Sequence, residues 1–345
     1  MRVWLDALTP KQGRLTACLA LSLGERGFEV LVTCREHECT RATIEMYGLH
    51  PTIVGAYGGE TRLGKLIADA ERVAALAHTI SRLEPSALVA YPNPSASRVA
   101  FGLGIPYIAL NDTPHAEAAN RLSLPLASAL VASEALKGEF EKYLAPDARV
   151  FHYRGVDEAL WVKRFKPRGS TVAELGLERR KYVVVRPEEY KAAYYSWGGW
   201  AWLELCETLR RRGLQVVVLP RYEEQRAAAA ERGYITPVGC VDGLELAYHA
   251  LAAVTGGGTM AREAALLGVP SFYTFPLELK VSRYVEALGF PLKRWVGQPE
   301  ELAEAIASLE ASMVEESVRK AGELLARLET PEGRVVEALQ WVATR

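Results

Sequence analysis

Short apolar runs of strand character alternate with longer stretches of helical spacing along the whole chain, and this alternation restricts the fold more than any other feature. Residues 2–5 read as a strand, Leu15, Leu19 and Leu23 recur at helical spacing over 14–26, Gly27 stops that helix, and 28–33 read as a second strand. The cycle continues with a helix over 38–47, a strand at 52–54, a helix over 64–82 and strands at 86–91 and 106–109. A polar stretch over 165–174, with Pro167 and Gly169, precedes a second series. It predicts strands at 182–186, 215–219, 235–237 and 252–255, separated by helices over 200–212, 223–232 and 244–250. A strand at 271–273 and helices over 299–309, 313–328 and about 330–342 complete the chain. Alternation of this kind predicts parallel sheets covered by helices on both faces.

A chain of 345 residues is long for one domain. The expected fold is therefore α/β, with two Rossmann-like doubly wound domains, 1–165 and 166–328, and a helix over 329–345 crossing back to the first. Two such domains place a central cleft between the carboxyl ends of their sheets, where loops from both halves converge.

Composition narrows the partners. With 41 Lys+Arg against 42 Asp+Glu, the formal charge of −1 gives no global attraction to nucleic acid or acidic membranes. Cys18, Cys34, Cys39, Cys206 and Cys240 show neither a Cys-x-x-Cys pair nor zinc-finger spacing, so reduced thiols and no structural metal are expected. The first residues carry no basic segment leading into a long apolar run, and no stretch reaches the length of a membrane span. A cytoplasmic protein, at most peripheral to a membrane, is the expectation.

The segment 254–270, Val-Thr-Gly-Gly-Gly-Thr-Met-Ala-Arg-Glu-Ala-Ala-Leu-Leu-Gly-Val-Pro, is the strongest candidate for a binding site. Gly256, Gly257 and Gly258 strip side chains from the end of a strand, and Thr259 and Met260 begin a helix whose free N–H groups suit a phosphate. Glu263 follows about one turn inside. The same pattern also suits a tight turn with no ligand. Arg186, at the end of the 182–186 strand, and Lys191 are cations suited to a diphosphate, or else to surface ion pairs with Glu188 or Glu189. Val238 to Val241 form a loop whose backbone could meet a nucleobase edge, and Asp242 is positioned to cap the next helix. The aromatics Tyr190, Tyr194, Tyr195, Trp197, Trp200 and Trp202 read as core or interface, with a possible share in acceptor contact.

In the first half, Asp6, Asp112, His115 and Glu117 lie on loops after strands, where a carboxylate or imidazole could take a proton from a hydroxyl. Each could equally be a helix cap or a surface charge. The loop over 55–62, with Gly58 and Gly59, suits a mobile flap.

Together these pieces resemble a glycosyltransferase-B-type protein over nearly the whole chain. Gly256-Gly257-Gly258-Thr259, Glu263-Ala264 and Gly268-Val269-Pro270 are similar to the nucleotide-sugar loop of the peptidoglycan N-acetylglucosaminyltransferase group. That resemblance implies that Glu263 holds ribose hydroxyls, that the loop and helix start hold the diphosphate, and that Val238 to Val241 take the base. Trp4-Leu5-Asp6 to Thr9-Pro10-Lys11, Asn120-Arg121-Leu122 to Pro125-Leu126-Ala127 and the glycine loop most resemble a prokaryotic family, domain of unknown function 354. UDP-N-acetylglucosamine 2-epimerase is similar in plan, and Glu117 to Arg121 resemble its Glu-x-x-Asn-Arg segment. Thr9 stands where the epimerase motif has arginine, and Asn93 where it has a catalytic aspartate. The resemblances imply a metal-independent transfer of sugar from a nucleotide diphosphate sugar, a uridine diphosphate sugar foremost, to a saccharide or lipid-linked acceptor hydroxyl. The nucleotide-sugar is the substrate and no cofactor is expected. An epimerase-like enzyme and a non-catalytic nucleotide-sugar-binding protein are the alternatives.

Overall fold

The first apolar run folds as β1 (Arg2–Ala7), buried from Val3 onward and paired in parallel on both sides. A strand at the centre of a helix-covered sheet has no solvated face, which is why its sequence lacks polar alternation. The computed structural model describes residues 1–190 and 201–344, and Lys191, Tyr194, Tyr195, Trp197 and Trp200 lie outside the described residues. The chain forms two units, Met1–Trp161 with Glu329–Arg345 and Val162–Leu328.

In the first unit β1 is followed by α1 (Pro10–Glu25), β2 (Glu29–Glu36), α2 (Thr40–Glu45), β3 (Thr52–Ala56), α3 (Arg62–Leu83), β4 (Ala87–Ala90), α4 (Pro94–Gly102) and β5 (Tyr107–Leu110). Then come α5 (Glu117–Ser123), β6 (Ala129–Ser133), β7 (Arg149–Tyr153) and α6 (Glu158–Val162). The strands form a parallel sheet in the order β3-β2-β1-β4-β5-β6-β7. The order reverses between β1 and β4, so their carboxyl ends open a crevice of the kind where doubly wound sheets bind ligands.

The second unit holds α7 (Ser170–Glu174), β8 (Tyr182–Arg186), α8 (Trp202–Arg211), β9 (Gln215–Val218), α9 (Glu223–Glu231), α10 (Gly243–His249), β10 (Ala252–Thr255) and α11 (Gly258–Leu266). It continues with β11 (Ser271–Tyr273), α12 (Lys280–Ala287), β12 (Leu292–Arg294), α13 (Pro299–Ala307) and α14 (Ala311–Arg327). Its parallel sheet runs β12-β11-β10-β8-β9, with the reversal between β8 and β10. Val183 and Val185 pack with Leu205, Leu209 and Val254 on one face, and Tyr182 and Val184 pack with Leu246 on the other. That is the two-residue period of a strand buried on both sides. The last helix, α15 (Pro331–Ala343), packs against β6, β7 and α1 within the first unit.

Strands β8, β10 and β11 occupy the expected positions, whereas several other elements depart from expectation. Helix α1 begins at Pro10 rather than Arg14, because Thr9 caps it and Pro10 supplies a preset first residue. The 93–95 segment is the start of α4, with Asn93 as its cap. Helix α12 and strands β6 and β7 were not expected, and 235–237 contribute only a single bridge, from Ile235 to Val217. Cys18, Cys34 and Cys206 are buried and outside any disulfide, whereas Cys39 and Cys240 are disulfide-bonded, against the expectation of reduced thiols throughout.

Candidate nucleotide site and first-unit cluster

The glycine loop joins the two strands at the reversal of the second sheet. The Gly256 N–H donates to Arg186 O at 2.8 Å, tying the carboxyl ends of β10 and β8 together. The Thr255 hydroxyl donates to Gly257 O, and Thr255 O accepts from Thr274 N at 2.9 Å, which fixes the loop from the next strand as well.

The three glycines do different work. A Cβ at Gly256 would stand 2.5 Å from the Cα of Glu188, so the close approach of two backbones demands glycine there. A Cβ at Gly258 would meet Arg262 Nη1 and Leu279 Cδ1 at 2.5 Å each. At Gly257 a Cβ would meet no heavy atom within 4 Å among the described residues, and its φ of −141° is open to any residue. Helix α11 starts there with Gly257 as N-cap, no side-chain cap bond among the described residues and no acidic residue in its first turn. Among the described residues no side chain caps its N–H groups and positive dipole end, which the loop presents. Thr259, Met260 and Glu263 are half-buried on this helix, and Gly268, at φ +83°, ends it against the backbone of Val318.

Of the other expected nucleotide residues, Arg186 is half-buried at the end of β8, beside the loop. Asp242 caps α10 by accepting from Leu244 N at 3.1 Å. Val238 is 92% exposed, while Val241 packs on the core beside Leu246 and Ala250. A Cβ at Gly243 would lie 3.5 Å from Met260 Cε, so the 238–243 loop leads into an α10 that abuts α11. The structure thus gathers Arg186, the glycine loop and the start of α10 at one end of one sheet.

In the first unit, Asp6 is 1% exposed and its carboxylate is fully engaged. Arg72 Nη2 of α3 donates to its two oxygens at 2.7 and 3.0 Å, while the Thr33 hydroxyl and the Asn93 amide donate as well. Asn93 also caps α4 by accepting from Ala96 N at 3.1 Å. Asp6 therefore ties β1, β2, α3 and α4 together at the reversal between β1 and β4.

Asp112 belongs to a second group that sequence reasoning saw only in part. Lys11 Nζ pairs with Asp112, donates to the Tyr91 hydroxyl at 3.0 Å, and lies 3.6 Å from Asp157 and 3.9 Å from Glu158. The hydroxyls of Tyr91 and Tyr153 both donate to Asp157. Burial, only partly offset by Lys11, raises the Asp157 carboxyl above its ordinary range, and burial lifts both phenols well above theirs. Asp157 and Glu158 were missed because they follow β7, a strand that sequence periodicity did not reveal.

His115 is half-buried on a braced turn. Asn120 donates to Thr113 O at 3.2 Å and Pro114 O at 3.3 Å, and Asn111 holds Asn120 at 2.8 Å and accepts from Thr113 N at 2.9 Å. Glu117 is exposed at the start of α5 and pairs with Arg121 at 2.6 Å. Among the described residues, no group of three or more His, Cys, Asp or Glu could hold a metal ion, and no helix is long and apolar enough to cross a membrane.

The chain as a whole is similar to known proteins. An uncharacterized protein of Methanocaldococcus jannaschii is 31% identical over 285 residues, covering 80% of this chain and 82% of its own length. The structure of the UDP-GlcNAc 2-epimerase of Methanocaldococcus jannaschii in complex with UDP-GlcNAc and UDP matches at TM-score 0.69 and 13% identity, over 99% of this chain and 100% of that one. Glycosyltransferase VinC in complex with dTDP matches at TM-score 0.60 and 17% identity, over the full length of both chains, 100% and 100%. At such identities the likeness is one of fold, the two-unit Rossmann-like architecture shared by glycosyltransferases of the B type and these epimerases. Residues 1–296 match the family described as protein of unknown function (DUF354), and the chain belongs to that family.

Proposed function

We propose that the second unit binds a nucleotide diphosphate sugar, foremost a uridine diphosphate sugar, and that the protein transfers the sugar to an acceptor hydroxyl presented by the first unit. The observation that carries this reading is the bare loop at the β8 and β10 reversal, where among the described residues no heavy atom lies within 4 Å of a Cβ at Gly257, the N-cap of α11. A diphosphate seated there would receive loop N–H groups and the helix dipole, with Arg186 alongside and Glu263 one turn in for the ribose. Stabilising the departing diphosphate in this way requires no metal. His115 is proposed as the base, because an imidazole can take a proton from a hydroxyl near neutral pH, whereas the Asp6 carboxylate is buried and closed in by Arg72 and Asn93. Lys191 is proposed as a further cation for the diphosphate, and Val238 and Val241 for the base.

An epimerase-like activity is the second reading, favoured by the likeness to UDP-GlcNAc 2-epimerases and by Glu117 to Arg121. Against it, Asn93 is an amide whose two ends are spent on Asp6 and on the α4 cap, so it supplies no acid or base. Incubation with UDP-sugars separates the readings. Transfer predicts a new glycoside when an acceptor panel is added and no exchange at C2 in deuterated water without one. Deuterium at C2 in the absence of acceptor would overturn transfer in favour of epimerisation. Binding with neither outcome would leave a nucleotide-sugar-binding protein.

A further inference from the structure

The first unit gathers cations at the carboxyl ends of β2 and β3. Arg35, one residue before the end of β2, is half-buried, and its Nε donates to Leu8 O at 2.8 Å. Its guanidinium lies 5.2 Å from the centroid of the Tyr57 ring, which follows β3 and stacks on the His37 ring at 4.3 Å. Lys65, near the start of α3, brings its Nζ to 6.0 Å from the same centroid. Among the described residues the two terminal nitrogens of Arg35 make no hydrogen bond, and neither Arg35 nor Lys65 has a carboxylate within ion-pair distance. The nearby Asp6 carboxylate is spent on Arg72, Thr33 and Asn93. Burial and the charge of Arg72 lower the Arg35 guanidinium from its ordinary value to about 10, an effect that Tyr57, Asp6 and Glu38 offset only in part. Helix α3 has no acidic residue in its first turn, so its dipole adds positive potential at the same end of the sheet. One bond and one ring hold the guanidinium in place and leave the edge of its fork open, the edge with which arginine grips a phosphate through two N–H groups.

We infer that Arg35, with Lys65 as a second cation, binds a phosphate group carried by the acceptor. The inference rests on the transfer reading and deepens it by giving the acceptor its class, a phosphate ester that also bears the receiving hydroxyl.

Backbone amide resonances of wild type, Arg35→Met and Lys65→Met, followed during titration with inorganic phosphate, glucose 1-phosphate and hexyl phosphate, and separately with UDP, test it. Saturable phosphate shifts around Arg35, Tyr57 and Lys65 are expected, weakened at least about tenfold by Arg35→Met and about threefold by Lys65→Met, while UDP keeps its midpoint in both variants. Glucose 1-phosphate bound more tightly than inorganic phosphate marks a soluble sugar phosphate as the source, hexyl phosphate bound more tightly marks a lipid-linked one, and either result supports the inference. Inorganic phosphate bound more tightly than both esters would overturn the acceptor role. Phosphate shifts confined to the glycine loop, or equal affinities of Arg35→Met and wild type, would overturn the inference and leave the nucleotide reading standing. Should Arg35→Met fail to fold, Lys65→Met decides: the expected loss supports the inference and an unchanged midpoint overturns it. Absence of any UDP shift in a protein that binds phosphate at Arg35 would overturn the nucleotide reading, and with it the acceptor role, while supporting the phosphate site.

Discussion

At the scale of single residues, neighbouring glycines in one loop make opposite predictions. Gly256 faces the Glu188 backbone at a distance that no side chain tolerates, so Gly256→Ala should cost about 1–3 kcal/mol in chemical denaturation. Among the described residues Gly257 has no such neighbour, so Gly257→Ala should change stability by less than about 0.5 kcal/mol and yet weaken UDP, because the added methyl would stand where the diphosphate is proposed to approach. Equal affinity of Gly257→Ala and wild type would place the ligand elsewhere. Asp157 makes a pH prediction. Its folded carboxyl is raised above the unfolded value by burial, so its contribution is fully present below the unfolded pKa and is lost as pH rises through the folded one. Asp157→Asn cannot lose a proton, so its melting temperature relative to wild type should climb as pH rises from acid to neutral. A constant difference across that range would contradict the assignment.

At the scale of elements, the helix start at the first-sheet reversal is set by a reciprocal cap. Thr9 Oγ1 accepts from Gln12 N at 3.4 Å while Gln12 Oε1 accepts from Leu8 N at 2.7 Å. Thr9→Ala should therefore cost about 1 kcal/mol by urea denaturation, and no change would mean that tertiary packing alone holds the loop. The same segment shows what a sequence conceals. Thr9-Pro10 and Asn93-Pro94 look like loops because the cap residue and proline are turn formers, yet proline suits the first residue of a helix. Strand β6, Ala-Leu-Val-Ala-Ser, is buried throughout and so carries no alternation to find. The β8, β10 and β11 strands were legible because apolar runs end sharply at Pro187, at the glycines and at Thr274. The glycine loop was legible for the same reason. The Lys11 and Asp157 group was not, since its members come from four segments far apart in sequence.

At the scale of the whole molecule, the chain leaves the first unit at Trp161 and returns to it at Glu329. The return is built on contact: Gly155 bridges to Glu329, whose carboxylate accepts from Arg154 N at 2.8 Å. A side chain at Gly155 would collide with the Glu329 backbone, so Gly155→Ala should lower stability by about 1–3 kcal/mol and leave unchanged the UDP affinity that is proposed for the second unit. Loss of UDP binding in a folded Gly155→Ala protein would show that the nucleotide site depends on the first unit.

The loop between β10 and α11 is proposed to receive a nucleoside diphosphate. Backbone amide resonances followed during titration with UDP test it most directly. Saturable shifts largest at Gly257, Gly258 and Thr259, sharply reduced in Glu263→Ala, are the predicted result. Shifts centred on any other loop, or none at concentrations that saturate nucleotide sites elsewhere, would contradict it.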